Sequence, residues 1–307
     1  MIKRNLIIDT DPGIDDAIAI GIAIFSEKLN VDLITTVAGN VDIDKVTLNA
    51  QKLLKFWNKE SIPIAKGSST PLVNELETAT SVHGLSGMEG WNFEDPTCSI
   101  LKENAINAMY DKIMSNSGKT TIMAIGPLTN VALLLKMYPD VKNKIEEIVF
   151  MGGTLTRGNK GVLSEFNVHI DPEAAYIVIH SGINVVMCGL DIGWKALILP
   201  EDSEQIKKQN RTGEMVYALF KKYRGGSFNT GLKMYDSTAI AYILNPNLFK
   251  FEILPVEIEL HGQYTRGASL VDFKGYLKKE VKNVKVLTDV DSLEFRKWFI
   301  ESLNKCN

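Results

Sequence analysis

Cysteine is scarce in this chain. Its 307 residues include three, Cys98, Cys188 and Cys306, odd in number and far apart. That excludes a disulfide scaffold and a cysteine zinc site, and it fits a reducing, cytoplasmic setting. An excess of one charge is also missing. Lys plus Arg is 34 and Asp plus Glu is 37, a formal net charge of −3 without a basic tract. This argues against a nucleic-acid partner but leaves room for uncharged ligands of nucleoside size. Long apolar runs are absent too. The longest, residues 17–25, is about half the ~18–20 residues of a membrane span, so no membrane partner is expected. The apolar run before Asp9 is too short for a signal peptide. Internal repeats and Pro/Gly/Ser linkers are lacking, which leads us to expect one domain over 1–307, with a break near residue 195 as the weaker alternative.

What is present is a globular chain, 45% apolar and 23% charged. In the first half, short β-branched runs (5–8, 31–37, 120–125, 145–151, 184–188) alternate with segments of helical spacing (44–58, 99–116, 128–138, 172–180). That rhythm predicts an α/β fold, a Rossmann-like, open, mostly parallel sheet flanked by helices. Asp44 is expected to cap a helix starting at Lys45, and Asp171-Pro172 reads as an N-cap followed by proline at the first helical position. After Pro246, segments 251–260, 268–273 and 281–288 read as extra strands, which extend the sheet or form a small β subregion. A final helix over 292–303 closes the chain. In such folds ligands bind beyond the carboxyl ends of the strands.

The strongest feature stands at such an end. Asp9-Thr10-Asp11-Pro12-Gly13-Ile14-Asp15-Asp16 packs four carboxylates into eight residues directly after the first strand. Complementing a helix dipole and capping a turn would account for two of them. Four crowded acids raise one another's pKa unless a cation cancels them. Carboxylate oxygens without nearby His or Cys favour a hard ion, Ca²⁺ or Mg²⁺.

The octad and the Ala17 that follows it resemble the N-terminal signature of the inosine–uridine-preferring nucleoside hydrolases. Further segments are similar to that family in order along the chain. They are Thr35-Thr36-Val37-Ala38-Gly39-Asn40, His83-Gly84-Leu85-Ser86-Gly87, Ile125-Gly126-Pro127-Leu128-Thr129-Asn130, Gly158-Asn159, Glu165-Phe166-Asn167, Asp171-Pro172-Glu173-Ala174-Ala175 and, late in the chain, Asp236. The resemblance implies hydrolysis of the N-glycosidic bond of free ribonucleosides, one bound Ca²⁺, a nucleoside-salvage role and a homodimer or homotetramer. It implies Asp11, Asp16, Asp236 and the backbone carbonyl of Ile125 as metal ligands, with Asp11 also the general base for a Ca²⁺-bound water. Attack at C1′ would pass through an oxocarbenium-like transition state with inversion. By the same resemblance Asp15 and Asn167 hold the 2′-hydroxyl, Asn159 and Glu165 hold the 5′-hydroxyl, and Asn40 lines the pocket with Asp236. Asp9 would orient the loop from behind. His83, on a glycine-rich loop that suits a mobile flap, would face the base. Taken alone, Asn40 reads as a turn residue and Glu165 as an exposed acid.

One position departs from the pattern. Many family members have a histidine before the late aspartate, proposed to protonate the leaving base, and other branches have tryptophan or cysteine; here it is Tyr235. A phenol with a pKa of ~10 is a weaker acid than imidazolium, so it can donate a hydrogen bond, stack on the base or simply pack. Segment 215–224 reads either as a supplier of base contacts or as an amphipathic helix with core aromatics. Alternative functions are the same fold and metal acting on a different or modified N-riboside, and a catalytically silent nucleoside- or ribose-binding protein.

Overall fold

The computed structural model describes residues 3–307. Its strands are β1 (Arg4–Thr10), β2 (Leu29–Thr36), β3 (Ile64–Lys66), β4 (Thr120–Ala124), β5 (Ile145–Met151), β6 (Val185–Cys188), β7 (Leu197–Ile198), β8 (Gly226–Ser227), β9 (Gly231–Lys233), β10 (Phe249–Leu254), β11 (Val256–Ile258), β12 (Ser269–Val271) and β13 (Val284–Val290). Eight of them form one sheet in the order β10-β13-β6-β5-β4-β1-β2-β3. Every neighbouring pair is parallel except β10 with β13. The late strands take both courses open to them. β10 and β13 extend the sheet, whereas β11 and β12 pair as a separate ribbon.

The sheet is covered on both faces, and β1 shows why its sequence is almost continuously apolar. Leu6 and Ile8 point into one core cluster and Ile7 into the other, all three fully buried. Successive side chains on a strand alternate faces, and each such burial contributes about 1.5–3 kcal/mol. The helices are α1 (Ile14–Phe25), α2 (Ile43–Phe56), α3 (Thr80–His83), α4 (Ala105–Ser115), α5 (Thr129–Met137), α6 (Phe166–Ile170), α7 (Pro172–Ile179), α8 (Leu190–Gly193), α9 (Pro200–Lys207), α10 (Arg211–Phe220), α11 (Tyr235–Leu244) and α12 (Ser292–Asn304). Helix α1 is buried from Ile14 to Ala23 and packs against α11, so its two acids are carried inside with it. None of the described helices is long and apolar enough to cross a membrane.

Two expected helix starts are corrected. The cap of α2 is Asp42, whose side chain accepts from Lys45 N–H, and Asp44 lies inside the first turn. Helix α4 begins at Ala105 because Asn104 caps it, so residues 99–104 precede the helix. Asp171 does cap α7, accepting from Ala174 N–H at 3.0 Å.

The chain runs outward from β1 through β2 to β3, then returns to lay β4 on the other side of β1. The sheet order therefore reverses between β1 and β4, where open α/β sheets form their ligand crevice. Ile125 N–H donates to Asp9 O at 2.8 Å and Val37 N–H to Thr10 O at 3.1 Å, so three strand ends meet there.

Candidate functional site

At the end of β1, Pro12-Gly13 turns the chain into α1. Asp11 sits on the turn, Asp15 and Asp16 in the first turn of α1, and Asp236 in the first turn of α11. Carboxylate oxygens of Asp15, Asp16 and Asp236 lie within 4.8 Å of one another. All four acids are buried, none more than 5% exposed. The tightest trio thus includes Asp15, which the sequence placed only against ribose. Asp11 joins it through the mutual repulsion of its charge with Asp16, Asp15 and Asp236.

Each acid is held in place. Asp16 accepts from Thr10 Oγ1 at 2.6 Å, Gly13 N–H at 3.0 Å and Asn40 Nδ2 at 3.1 Å. The Gly13 bond closes the start of α1, so Asp16 also caps that helix. Asp11 Oδ2 accepts from Asn40 N–H at 2.7 Å, while Asp11 Oδ1 is buried without a hydrogen-bond partner. Room for Asp11 depends on Gly39 and Gly126; a Cβ at Gly126 would stand 2.7 Å from Oδ1. Behind them, Asp9 Oδ1 accepts from Thr35 Oγ1 at 2.6 Å and Asn130 Nδ2 at 2.8 Å, which fixes it beneath the loop.

Burial is the main reason these carboxyls depart from ordinary acids. It pushes Asp11 and Asp236 well above the usual range, with the neighbouring carboxylates adding to it. Asp16 is raised by burial and then by Asp15. Asp15 rises to about 6 and Asp9 to about 7 through burial, against the hydrogen bonds that favour their charged forms. Among the described residues no Lys or Arg pairs with any of the four clustered acids. The one basic neighbour is His83, whose Nδ1 lies 4.0 Å from Asp15 Oδ1.

The cluster floors a cavity of about 350 Å³. Asp15, Asn40, His83, Ile125, Asn159, Glu165, Asn167, Tyr235 and Asp236 all line it, whereas Asp11 and Asp16 stand behind the floor. Asn40 is therefore more than a turn residue, and Glu165 is buried rather than exposed. Glu165 caps α6, its carboxylate accepting from Asn167, Val168 and Gly153 N–H at 3.0–3.1 Å. Burial nevertheless raises it to about 7. Asn167 Nδ2 donates to Ile125 O at 3.2 Å and Met151 O at 3.1 Å, leaving its Oδ1 for a ligand. Asn159 Oδ1 accepts from Phe166 N–H at 2.9 Å, leaving its Nδ2.

Beside the acids, the lining of the cavity is aromatic. His83 ends the short helix α3 and is only 6% exposed, so its side chain points inward rather than into solvent. Its Nδ1 accepts from Ile14 N–H at 3.1 Å, which puts the ring proton on Nε2. Burial holds its pKa down at about 4. Tyr223 packs against it, ring centroids 5.6 Å apart, and donates its hydroxyl to Asp15 Oδ2 at 2.9 Å. Burial pushes Tyr235 above the ordinary tyrosine value. Segment 215–224 divides: Tyr223 and Arg224 line the cavity, Met215 and Val216 are core, and the Tyr217 hydroxyl donates to Glu204. Lys233, also in the wall, escaped the sequence reading, because one lysine between Leu232 and Met234 looks like any strand residue.

Comparisons with known proteins cover nearly the whole chain. The family model described as "Inosine-uridine preferring nucleoside hydrolase" matches residues 6–297. The non-specific ribonucleoside hydrolase RihC of Escherichia coli is 47% identical over 98% of each chain. Among solved structures, a plant nucleoside hydrolase, PpNRh1, superposes with a TM-score of 0.91 at 29% identity over 99% of each chain. A purine-preferring ribonucleoside hydrolase from Gardnerella vaginalis gives 0.91 at 27% identity, again over 99% of each.

Proposed function

This chain belongs to the inosine–uridine-preferring nucleoside hydrolases, enzymes of ribonucleosides, and from that premise we propose that it splits free ribonucleosides into ribose and base with the help of one Ca²⁺. The observation that carries the metal reading is the buried cluster of Asp11, Asp15, Asp16 and Asp236, with which no Lys or Arg among the described residues pairs and in which Asp11 Oδ1 has no partner. An all-oxygen donor set of this charge fits a hard divalent ion. Asp11, Asp16, Asp236 and the Ile125 carbonyl would hold it, with Asp15 alongside. When bound, such an ion would supply positive charge to offset the cluster and Lewis acidity toward sugar hydroxyls and an attacking water.

The chain's own residues do the rest. Asp11 takes the proton of the attacking water at Oδ1, the oxygen its protein contacts leave free. Asp15 accepts the hydrogen bond of the 2′-hydroxyl, and Asn167, through its free Oδ1, helps to position the ribose beside it. Asn159 Nδ2 and Glu165 grip the 5′-hydroxyl, and Asn40 holds Asp11 and Asp16 in register. Water attacks C1′ as the bond to the base breaks through an oxocarbenium-like transition state, and the configuration inverts. His83 offers Nε2–H toward the base. The test is release of base or reducing sugar from inosine, uridine, cytidine, adenosine and guanosine, before and after chelation and Ca²⁺ return. Cleavage that chelation abolishes and Ca²⁺ restores is expected; activity indifferent to chelator would remove the metal from the account.

Two organisational proposals go with this one. The chain acts as a single domain, because one core cluster runs from Leu6 through Ile240 to Cys306. It assembles as a homodimer or homotetramer, which light scattering of the purified protein decides.

A further inference from the structure

The wall of the cavity carries positive charge that the protein does not neutralise. Lys233, Arg224 and Lys160 line it. Lys160 is paired with Glu77 at 2.6 Å. Among the described residues, the side chains of Lys233 and Arg224 form neither an ion pair nor a hydrogen bond. Lys233 lies on β9 between Leu232 and Met234, both buried in the core. Strand alternation turns its side chain to the other face, which is the cavity side. Its backbone is fixed to the wall, with N–H donating to Gly225 O at 2.9 Å and the carbonyl 3.2 Å from the Tyr223 hydroxyl. A second cation, Arg157, packs 5.0 Å from the Trp194 ring centroid and repels the Lys233 ammonium.

None of the three rings there, His83, Tyr223 and Tyr235, is a ready acid. The His83 proton is on Nε2 of a neutral ring, because Nδ1 accepts from Ile14. The Tyr223 proton is committed to Asp15. Tyr235 is a phenol, with an ordinary pKa of ~10. Yet breaking the C1′–N bond sends both of its electrons to the base, and something must stabilise that charge.

We propose that Lys233 is a catalytic residue of this chain, whose ammonium stabilises the negative charge gathering on the departing base in place of protonation by an acid. The inference rests on the nucleoside hydrolase reading above. The water oxygen bonds to C1′, one water proton goes to Asp11, and the electron pair leaves with the base nitrogen. The freed base anion takes a proton from solvent, and Asp11 returns its proton to solvent. Lys233 stays protonated throughout. A fixed charge aimed at the developing anion acts strongly in a partly dehydrated cavity.

The test compares K233M and K233R with the unaltered enzyme on uridine and 5-fluorouridine, whose base is the better anion. K233M should lower kcat/KM for uridine on the order of 100-fold, and distinctly less for 5-fluorouridine. K233R, which keeps the charge, should restore most of the uridine activity. Circular dichroism and Tm establish that the variants fold. Unchanged turnover by K233M, or an equal loss on both substrates, overturns the role of Lys233 while leaving the hydrolase reading intact. Failure of the unaltered protein to cleave any ribonucleoside would overturn that reading and this inference together.

Discussion

Asp11 and Tyr235 frame the chemistry at the scale of single residues. One oxygen of Asp11 is tied to Asn40 N–H and the other is buried and free. Asp11→Asn keeps the volume but removes the proton acceptor and a charge from the cluster. Its kcat on inosine or uridine should fall about 10²–10⁴-fold with the fold retained; a fall of less than tenfold would mean that another group takes the proton. Tyr235→Phe should behave differently. The ring is seated against Gly193, where a Cβ would collide with it, and phenylalanine preserves that packing. With leaving-base stabilisation assigned to Lys233, Tyr235→Phe should keep kcat within about fivefold, on the scale of one neutral hydrogen bond. A loss as large as that of Asp11→Asn would return the acid role to Tyr235. The octad of acids was legible in the sequence because its crowding is local. Lys233 was not, since its meaning comes only from the cavity that β9 helps to wall.

At the scale of elements, the strands of the main sheet other than β3, and helices α2, α4, α5, α7 and α12, followed from periodicity, and the misses have physical causes. β3 is three residues long, Ile64–Lys66, too short to show alternation, and is held by pairing with β2. The starts of α2 and α4 depended on which of several polar residues turned its side chain back on the helix, and Asp42 and Asn104 did so. Glu165 looked exposed because an isolated acid usually is; its burial follows from capping α6 through Asn167 and Val168 N–H and accepting a third bond from Gly153 N–H. Asp171 is the cap whose contribution is easiest to measure. It is fully buried and accepts from Ala174 N–H, Leu72 N–H at 2.9 Å and Thr129 Oγ1 at 2.7 Å, joining α7 to α5 and to the 67–79 segment. Asp171→Ala strands all three donors. It should cost about 3 kcal/mol, read from the urea midpoint of the metal-saturated protein. A loss below about 1 kcal/mol would show that water or relaxation replaces these bonds.

Over the whole molecule, a formal charge of −3 conceals a steep internal gradient, with acids in the floor of the cavity and unpaired cations in its wall. The acids make stability depend on pH in a direction opposite to that of surface carboxylates. Glu165 and Asp9 titrate near 7 in the fold, against ordinary values of 4.5 and 3.8. Between those limits the folded chain holds protons that the unfolded chain has released, so rising pH removes stability until about 7. Asp15, at about 6, acts in the same sense. His83 opposes them below 6.5, because its folded value of about 4 makes falling pH costly, but it is one group against several. The chelated protein should therefore lose Tm from pH 5 to pH 8. Ca²⁺ competes with protons for the oxygens of Asp11, Asp16 and Asp236, whose pKa burial also raises, so its stabilisation should grow over that interval, reaching about 2.7 kcal/mol once free Ca²⁺ is about 100 times Kd. Scanning calorimetry in chelator and in Ca²⁺ at four pH values reads both trends. A gap between the two Tm curves that stays constant or narrows toward pH 8 would place the ion away from these carboxylates.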